Sequence, residues 1–510
     1  MRQTRWMKVQ GLCAAGLVSM AVCAVAQPVG AARSTEAAKP AAPMTKAQGD
    51  ELLRSVDEIL QFASKDTHLA IKSKVKKKLL SREEVNKFLI KKFEEDKGAQ
   101  RLERSEVILK KFGLLDHDFH LRPFLISLLT EQIAGFYDPK SRTVNLLDWV
   151  AVEEQKPVMA HELTHALQDQ RVDMDKWSDP LSMEISKDAR DDNRHIQSDE
   201  ANTSRDAVAE GQAMVVFADY ALKPSGKTLA DAPELGNRMQ DMSGDSSGSP
   251  IMARAPLLLQ KSLLFPYTTG MAFEQALLKR GGVDLAFAGA LDRPPSSSHE
   301  VMHPQDYLSR TPVPLLVMPD IHPLIDKDWA PYDVGVMGEL DVAITTELFG
   351  GKEIAAAVTP EWAGGIYFAA QKRSAVTTEQ KQSTGSLGLM YYSQWKNEDT
   401  ARSFMRVYAS QLSRKYSKLS RVVEKDLDDD HQIFETNEGD VVLSLDDKGV
   451  YVSEGFDRET ARKMEEMVRA AQGSGALRTA TLHVPVTGLS EHLASWMSDF
   501  GMMKFALQAK

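Results

Sequence analysis

Two periods of apolar and polar residues run along this chain, and the change from one to the other divides it. From about residue 49 to 115 the spacing is helical. Ser81-Arg-Glu-Glu84 has the form of a capping box, and Val85, Phe88, Leu89 and Phe93 follow on one face. The lysines at 72, 74, 76, 77 and 78 read as the solvated face of this helical region. Ile133-Ala-Gly-Phe-Tyr-Asp-Pro139, then Lys-Ser-Arg, then Thr143-Val-Asn-Leu-Leu147 predicts strand, turn and strand. Such a hairpin either packs or offers an edge along which an extended peptide can pair. Pro157 suits the first turn of a helix, and nothing from Val158 to Gln170 interrupts one. Ala207 to Phe217 reads as a buried helix, and residues 236 to 253, with Ser243-Gly-Asp-Ser-Ser-Gly-Ser-Pro250, as a surface loop.

After about residue 360 the period shortens toward two. Gly365 to Lys372 and Ser386 to Trp395 read as strands. Asn397 to Lys415 reads as a helix with Ala401, Phe404, Tyr408 and Leu412 on one side. Short alternating runs around Val441 to Leu445 and Gly449 to Ser453 flank the Asp446-Asp447-Lys-Gly449 turn, and a helix follows from Arg458 to Ala471. That β-α-β-β-α order predicts a separate α+β module.

Composition changes this picture at the N-terminus. The 510 residues, 43% hydrophobic and 26% charged, suit a globular chain of two main units. The first 26 residues differ: Arg2, Arg5 and Lys8 precede an uncharged apolar run, Gly11 to Val25, and Ala24-Val25-Ala26 offers small residues for cleavage. The run is shorter than the roughly 20 residues of a spanning helix, so it reads as a cleaved export signal and not as an anchor. Both cysteines, Cys13 and Cys23, lie within it, which leaves a mature chain without thiols, suited to an oxidising compartment. Losing the signal removes three positive charges and moves the formal net charge from -10 to -13, against a nucleic-acid partner. Residues 27 to 48, rich in Ala and Pro, read as a flexible lead-in.

The chemistry concentrates in His161-Glu162-Leu-Thr-His165. Histidines four apart stack on one helix face and can share an ion, while Glu162 starts from a neighbouring angle beside it. A zinc ion there lowers the pKa of bound water to about 7, and a carboxylate base can then take the proton as the water attacks an amide. A third ligand has to come from further along, since Gln168 and Arg171 stand where a metzincin has glycine and histidine. Glu210 is the foremost candidate, because a carboxylate in so apolar a helix needs a partner; His195, Asp199 and Glu200 are alternatives. A salt bridge from Glu210 to Arg205 is the structural reading. Gly211 and Ala213 would let this helix approach the histidine helix. No competing metal site is expected elsewhere in the chain.

These motifs resemble the gluzincins, the thermolysin-like zinc peptidases with two histidines and a downstream glutamate. The resemblance is closer to a bacterial set of metallopeptidases sharing Gly135 to Pro139, His161 to Gln170 and Glu210 to Ala213, with weaker likeness at Phe265-Pro-Tyr267, Gly281-Gly282 and His303-Pro-Gln-Asp-Tyr307. It implies zinc on His161, His165 and Glu210, with Glu162 as base. Met214 departs from the acidic residue such enzymes often carry there to support a histidine; Asp206, one turn before Glu210, is the substitute. Downstream, His303 and Tyr307, with His299 beside them, stand where relatives place oxyanion donors. The alternative is that His303 caps a turn before Pro304 and Tyr307 packs in the core.

The expectation is thus an α+β chain. A zincin-like domain over 116–355 follows N-terminal helices over 49–115 and precedes a C-terminal α+β module over 356–510. The expected activity is that of a periplasmic or secreted Zn2+ peptidase acting on peptides or proteins, with no stable membrane insertion. The alternative is a non-catalytic zinc-stabilised binding protein or chaperone.

Overall fold

The computed structural model describes residues 43–95, 97–177, 187–231, 249–313, 315–424 and 427–473. The expected export signal, the lead-in up to residue 42 and most of the 236–253 loop lie outside the described residues. The chain is mixed α+β with an antiparallel sheet. Among the described residues, no helix is long and apolar enough to cross a membrane.

Helix α1 (Lys46–Thr67) opens on a capping box between Thr45 and Gln48, and Leu52, Val56, Ile59, Leu60 and Ala63 form its buried stripe. The helical pattern then breaks where it was expected to continue. Lys76–Leu80 is a strand, β1, with the three lysines exposed and Leu80 buried. Its backbone pairs in parallel with Thr143–Leu147, from Lys76↔Thr143 to Leu80↔Leu147. A tertiary pairing partner overrides the local pattern here, as β-propensity commonly permits. Helix α2 (Arg82–Glu95) starts from the expected box: Ser81 N–H donates to Glu84 Oε2 at 2.9 Å and Glu84 N–H to Ser81 Oγ at 3.3 Å. Helices α3 (Lys97–Lys111) and α4 (Leu121–Gln132) follow.

Strands β2 (Phe136–Asp138) and β3 (Thr143–Leu147) form the predicted antiparallel hairpin. The sheet order β1-β3-β2 leaves β2 at an edge. Helix α5 (Val152–Val172) carries the histidine motif and begins five residues earlier than expected, so Pro157 lies inside it. Three residues of α5 stitch it to the hairpin. Gln155 accepts from Leu147 N–H at 2.9 Å and donates to Leu147 O at 2.6 Å. Glu162 accepts from Tyr137 N–H at 2.9 Å, and Asp169 accepts from the Tyr137 hydroxyl at 2.8 Å. Residues spaced by seven drift only about 20° around a helix, so the three share one face.

Helices α6 (Ala189–Ser198), α7 (Ala201–Leu222) and α8 (Leu257–Asp284) pack next. The small residue at Gly211 serves a different neighbour from the one expected. A Cβ there would lie 2.4 Å from the backbone of Gly270, and one at Gly270 would lie 2.2 Å from Ala207 O. The close approach is therefore between α7 and α8. Two short helices, α9 (Ser298–Met302) and α10 (Pro304–Ser309), lead toward the second sheet.

That sheet comprises β4 (Trp329–Val336), β5 (Trp362–Lys372), β6 (Leu387–Trp395), β7 (Leu419–Arg421), β8 (His431–Thr436), β9 (Gly439–Asp446) and β10 (Gly449–Glu454). The order is β4-β5-β6-β10-β9-β8-β7, every pair antiparallel. Helix α11 (Glu339–Gly350) joins β4 to this layer, while α12 (Glu398–Lys415) and α13 (Arg458–Gln472) cover it. The period of two divides β5 between two cores: Tyr367 and Ala369 join the core of the N-terminal helices and α12, whereas Ile366, Phe368 and Ala370 join Met464 and Val468 of α13. The expected strands and helices after 360 are all present. Strands β4, β7 and β8 extend the β-α-β-β-α pattern, and β4 comes from before residue 356.

Candidate metal centre

His161 and His165 lie on one face of α5, and Glu210 reaches them from the middle of α7. His161 Nε2 is 3.0 Å from His165 Nε2, and Glu210 Oε2 is 3.0 Å from the first and 3.5 Å from the second. Tetrahedral zinc with bonds of about 2.0–2.2 Å sets its ligand atoms about 3.4 Å apart. One separation matches that spacing and two are somewhat shorter, and the donor set is one that could hold a metal ion. Glu210 pairs with both histidines.

A relay of amides sets the tautomer of His165. The carbonyls of Ala286 and Phe287, which lie in a π-helical turn, can only accept, so the nitrogen of Gln212 faces them at 2.8 and 3.1 Å. Gln212 Oε1 then accepts from Gln168 Nε2 at 2.9 Å, which also donates to Ala209 O. The remaining oxygen of Gln168 takes the Nδ1–H of His165 at 2.8 Å. In neutral His165 the lone pair is therefore on Nε2, aimed at Glu210 and His161. Gln168 thus supports His165, a role considered from the sequence for Asp206. The His161 ring stacks on Tyr267 at 6.2 Å between centroids, and its Nδ1 has no hydrogen-bond partner among the described residues.

Without a cation a proton takes its place. Burial works against a charged His165, yet Glu210, Glu162 and Gln168 outweigh it and lift the imidazole to about 9. Burial likewise acts to raise Glu210, but the two histidines hold its carboxyl well below the usual carboxylate range. Glu162 goes the other way: burial raises it despite His161 and His165 nearby. One of its oxygens is held by the Tyr137 amide, and Oε1 is buried with no hydrogen-bond partner. The Tyr137 amide, turned away from β3, is thereby withdrawn from pairing with a peptide at this edge.

The other candidates lie apart from this triangle. His195 and Asp199 face each other at 3.7 Å, Asp199 accepts from Val336 N–H, and Glu200 accepts from Ser298 N–H at 3.2 Å. Burial lifts the Glu200 carboxyl to about 7. Tyr307 is buried, its hydroxyl donating to Arg293 O at 2.7 Å and its ring against Phe273. His303 binds Glu339, its Nε2 lying 2.8 and 3.0 Å from the two carboxylate oxygens. Neither His303 nor Tyr307 hydrogen-bonds His161, Glu162, His165 or Glu210.

His303 instead belongs to a second His/Glu triad that could hold a metal ion, with His299 and Glu339. The signal was present in the sequence: His299-Glu300-Val-Met-His303 repeats the spacing of the first motif. The expectation of no competing site overlooked it. Compared with protein-family models, with curated proteins and with solved structures, the chain matches none, so the functional reading rests on the geometry of the site.

Proposed function

We propose that this chain is an exported zinc-dependent peptidase of the gluzincin kind, acting on peptide or protein substrates in the periplasm or outside the cell. The supporting observation is the convergence of His161 Nε2, His165 Nε2 and Glu210 Oε2 beside a carboxylate, Glu162, that keeps one unbonded oxygen. When bound, zinc supplies Lewis acidity and lowers the pKa of a water molecule. The work of the chain's own residues is to hold and move protons. Gln168 keeps the proton of His165 on Nδ1, away from the ligand triangle. Glu162 Oε1 takes the proton of the water that forms the new C–O bond, then returns it to the amine as the C–N bond breaks. The raised pKa of Glu162 brings its proton affinity closer to that of the water it serves.

Glu162→Gln is the test, read on casein with and without chelator alongside the zinc content. The expected result is a loss of activity on the order of 10²- to 10⁴-fold with zinc retained. Equal inactivity of parent and variant, both zinc-loaded, would overturn the peptidase reading. One observation favours that second outcome: His161 and Glu210 are fully buried and Glu162 is 1% exposed, so a purely structural ion would also suit the site.

A further inference from the structure

The second triad stands on two short helices and the start of a longer one. Helices α9 and α10 have five and six residues, and His303 is the joint between them. Across from them Glu339, 2% exposed, opens α11. His299 Nδ1 lies 2.5 Å from Glu339 Oε2, and His303 Nε2 lies 2.8 Å from Oε1. The other nitrogen of His299 is 3.1 Å from Asp306 Oδ2. One imidazole thus has a carboxylate oxygen at each end. Asp306 acts as a carboxylate behind a ligand histidine does, keeping the proton on Nε2 and turning the Nδ1 lone pair toward Glu339. A buried carboxylate facing two imidazole nitrogens calls for a positive charge between them.

We propose that His299 Nδ1, His303 Nε2 and Glu339 form a second divalent-metal site, occupied by zinc or another borderline cation, which clasps α9 and α10 to the start of α11. Two imidazoles and one carboxylate match such ions and not magnesium or calcium, which prefer oxygen ligands. The role is structural. Glu300, at the position that Glu162 holds in the first motif, accepts from Ser296 N–H at 2.6 Å and from its hydroxyl at 2.8 Å.

The test is metal stoichiometry on the full chain, dialysed against buffered micromolar free zinc and measured by mass spectrometry, with cobalt absorption as the second readout. Two equivalents are expected in the parent, one in Glu339→Gln, and one in Glu210→Gln with the cobalt spectrum of the second site alone. His303→Asn replaces Glu339→Gln if that variant does not fold. A parent with one equivalent that Glu339→Gln retains would mean that a protonated imidazole between Glu339 and Asp306 holds the cluster, and would overturn the proposal. Loss of metal in Glu339→Gln with none lost in Glu210→Gln would support it while removing the peptidase reading, so the two stand or fall separately.

Discussion

At the scale of single residues, the first triad depends on where protons sit. Replacing Gln168 by Leu removes the acceptor that keeps the His165 proton on Nδ1 and also strands the Gln212 oxygen. The expected outcome is a fall in zinc affinity of about 10- to 100-fold with the fold retained, measured by competition with a chromophoric chelator. Titration gives a second outcome. The His165 pKa is lifted to about 9 in the metal-free chain, above its unfolded value of about 6.5. Its stabilising contribution is therefore complete below about pH 6.5 and is lost as the pH rises through about 9. Glu210, held low, is charged throughout that window. Chelated protein should lose Tm between about pH 7 and 9, while zinc-loaded protein, whose ligand nitrogen cannot carry the proton, should not. Parallel profiles for the two samples would contradict this.

At the scale of elements, the site is set by how closely three helices approach. Gly211, next to Glu210, lies against Gly270 with no room for a methyl group. Gly270→Ala is expected to destabilise the chain by about 1–3 kcal/mol and to lower zinc content, because α7 has to shift and takes Glu210 with it. Denaturant unfolding and metal analysis on the same samples check both parts. The same scale shows what could be read in advance. Helix α5 and its ligands were legible because four-residue spacing is a local property, and Glu210 because an acid in an apolar helix stands out. Strand β1 was hidden because Lys76–Lys78 are exposed and only pairing with β3 defines them. The second histidine pair was visible as a pattern, but its third partner lies 36 residues beyond His303 and its helix is five residues long.

At the scale of the whole molecule, the seven-stranded sheet does not begin where the texture of the sequence changes. Strand β4 contains Pro331 and has a register shift between Pro331 and Asp333, which breaks the alternation that would mark it as a strand. It nevertheless covers the edge of β5, and Val334 and Val336 enter the same core as Ile366 and Phe368. A fragment from residue 360 should thus unfold at lower temperature and aggregate more readily than one from residue 326, because it bares β5. Thermal unfolding with light scattering would compare them, and equal behaviour would show that β4 adds nothing.

The backbone amide of Tyr137 meets the general base proposed here, and the phenol of the same residue meets Asp169 two turns further along α5. A three-residue strand therefore gauges both the rotation and the depth of a helix to which it does not belong. Should the hairpin slide by one position against β3, that amide would face inward and the side chain would change sides of the sheet, so both carboxylates would lose the donors that Tyr137 supplies in one step. The proton-accepting power of Glu162 is in this sense inherited from the pairing of Tyr137 with Val144.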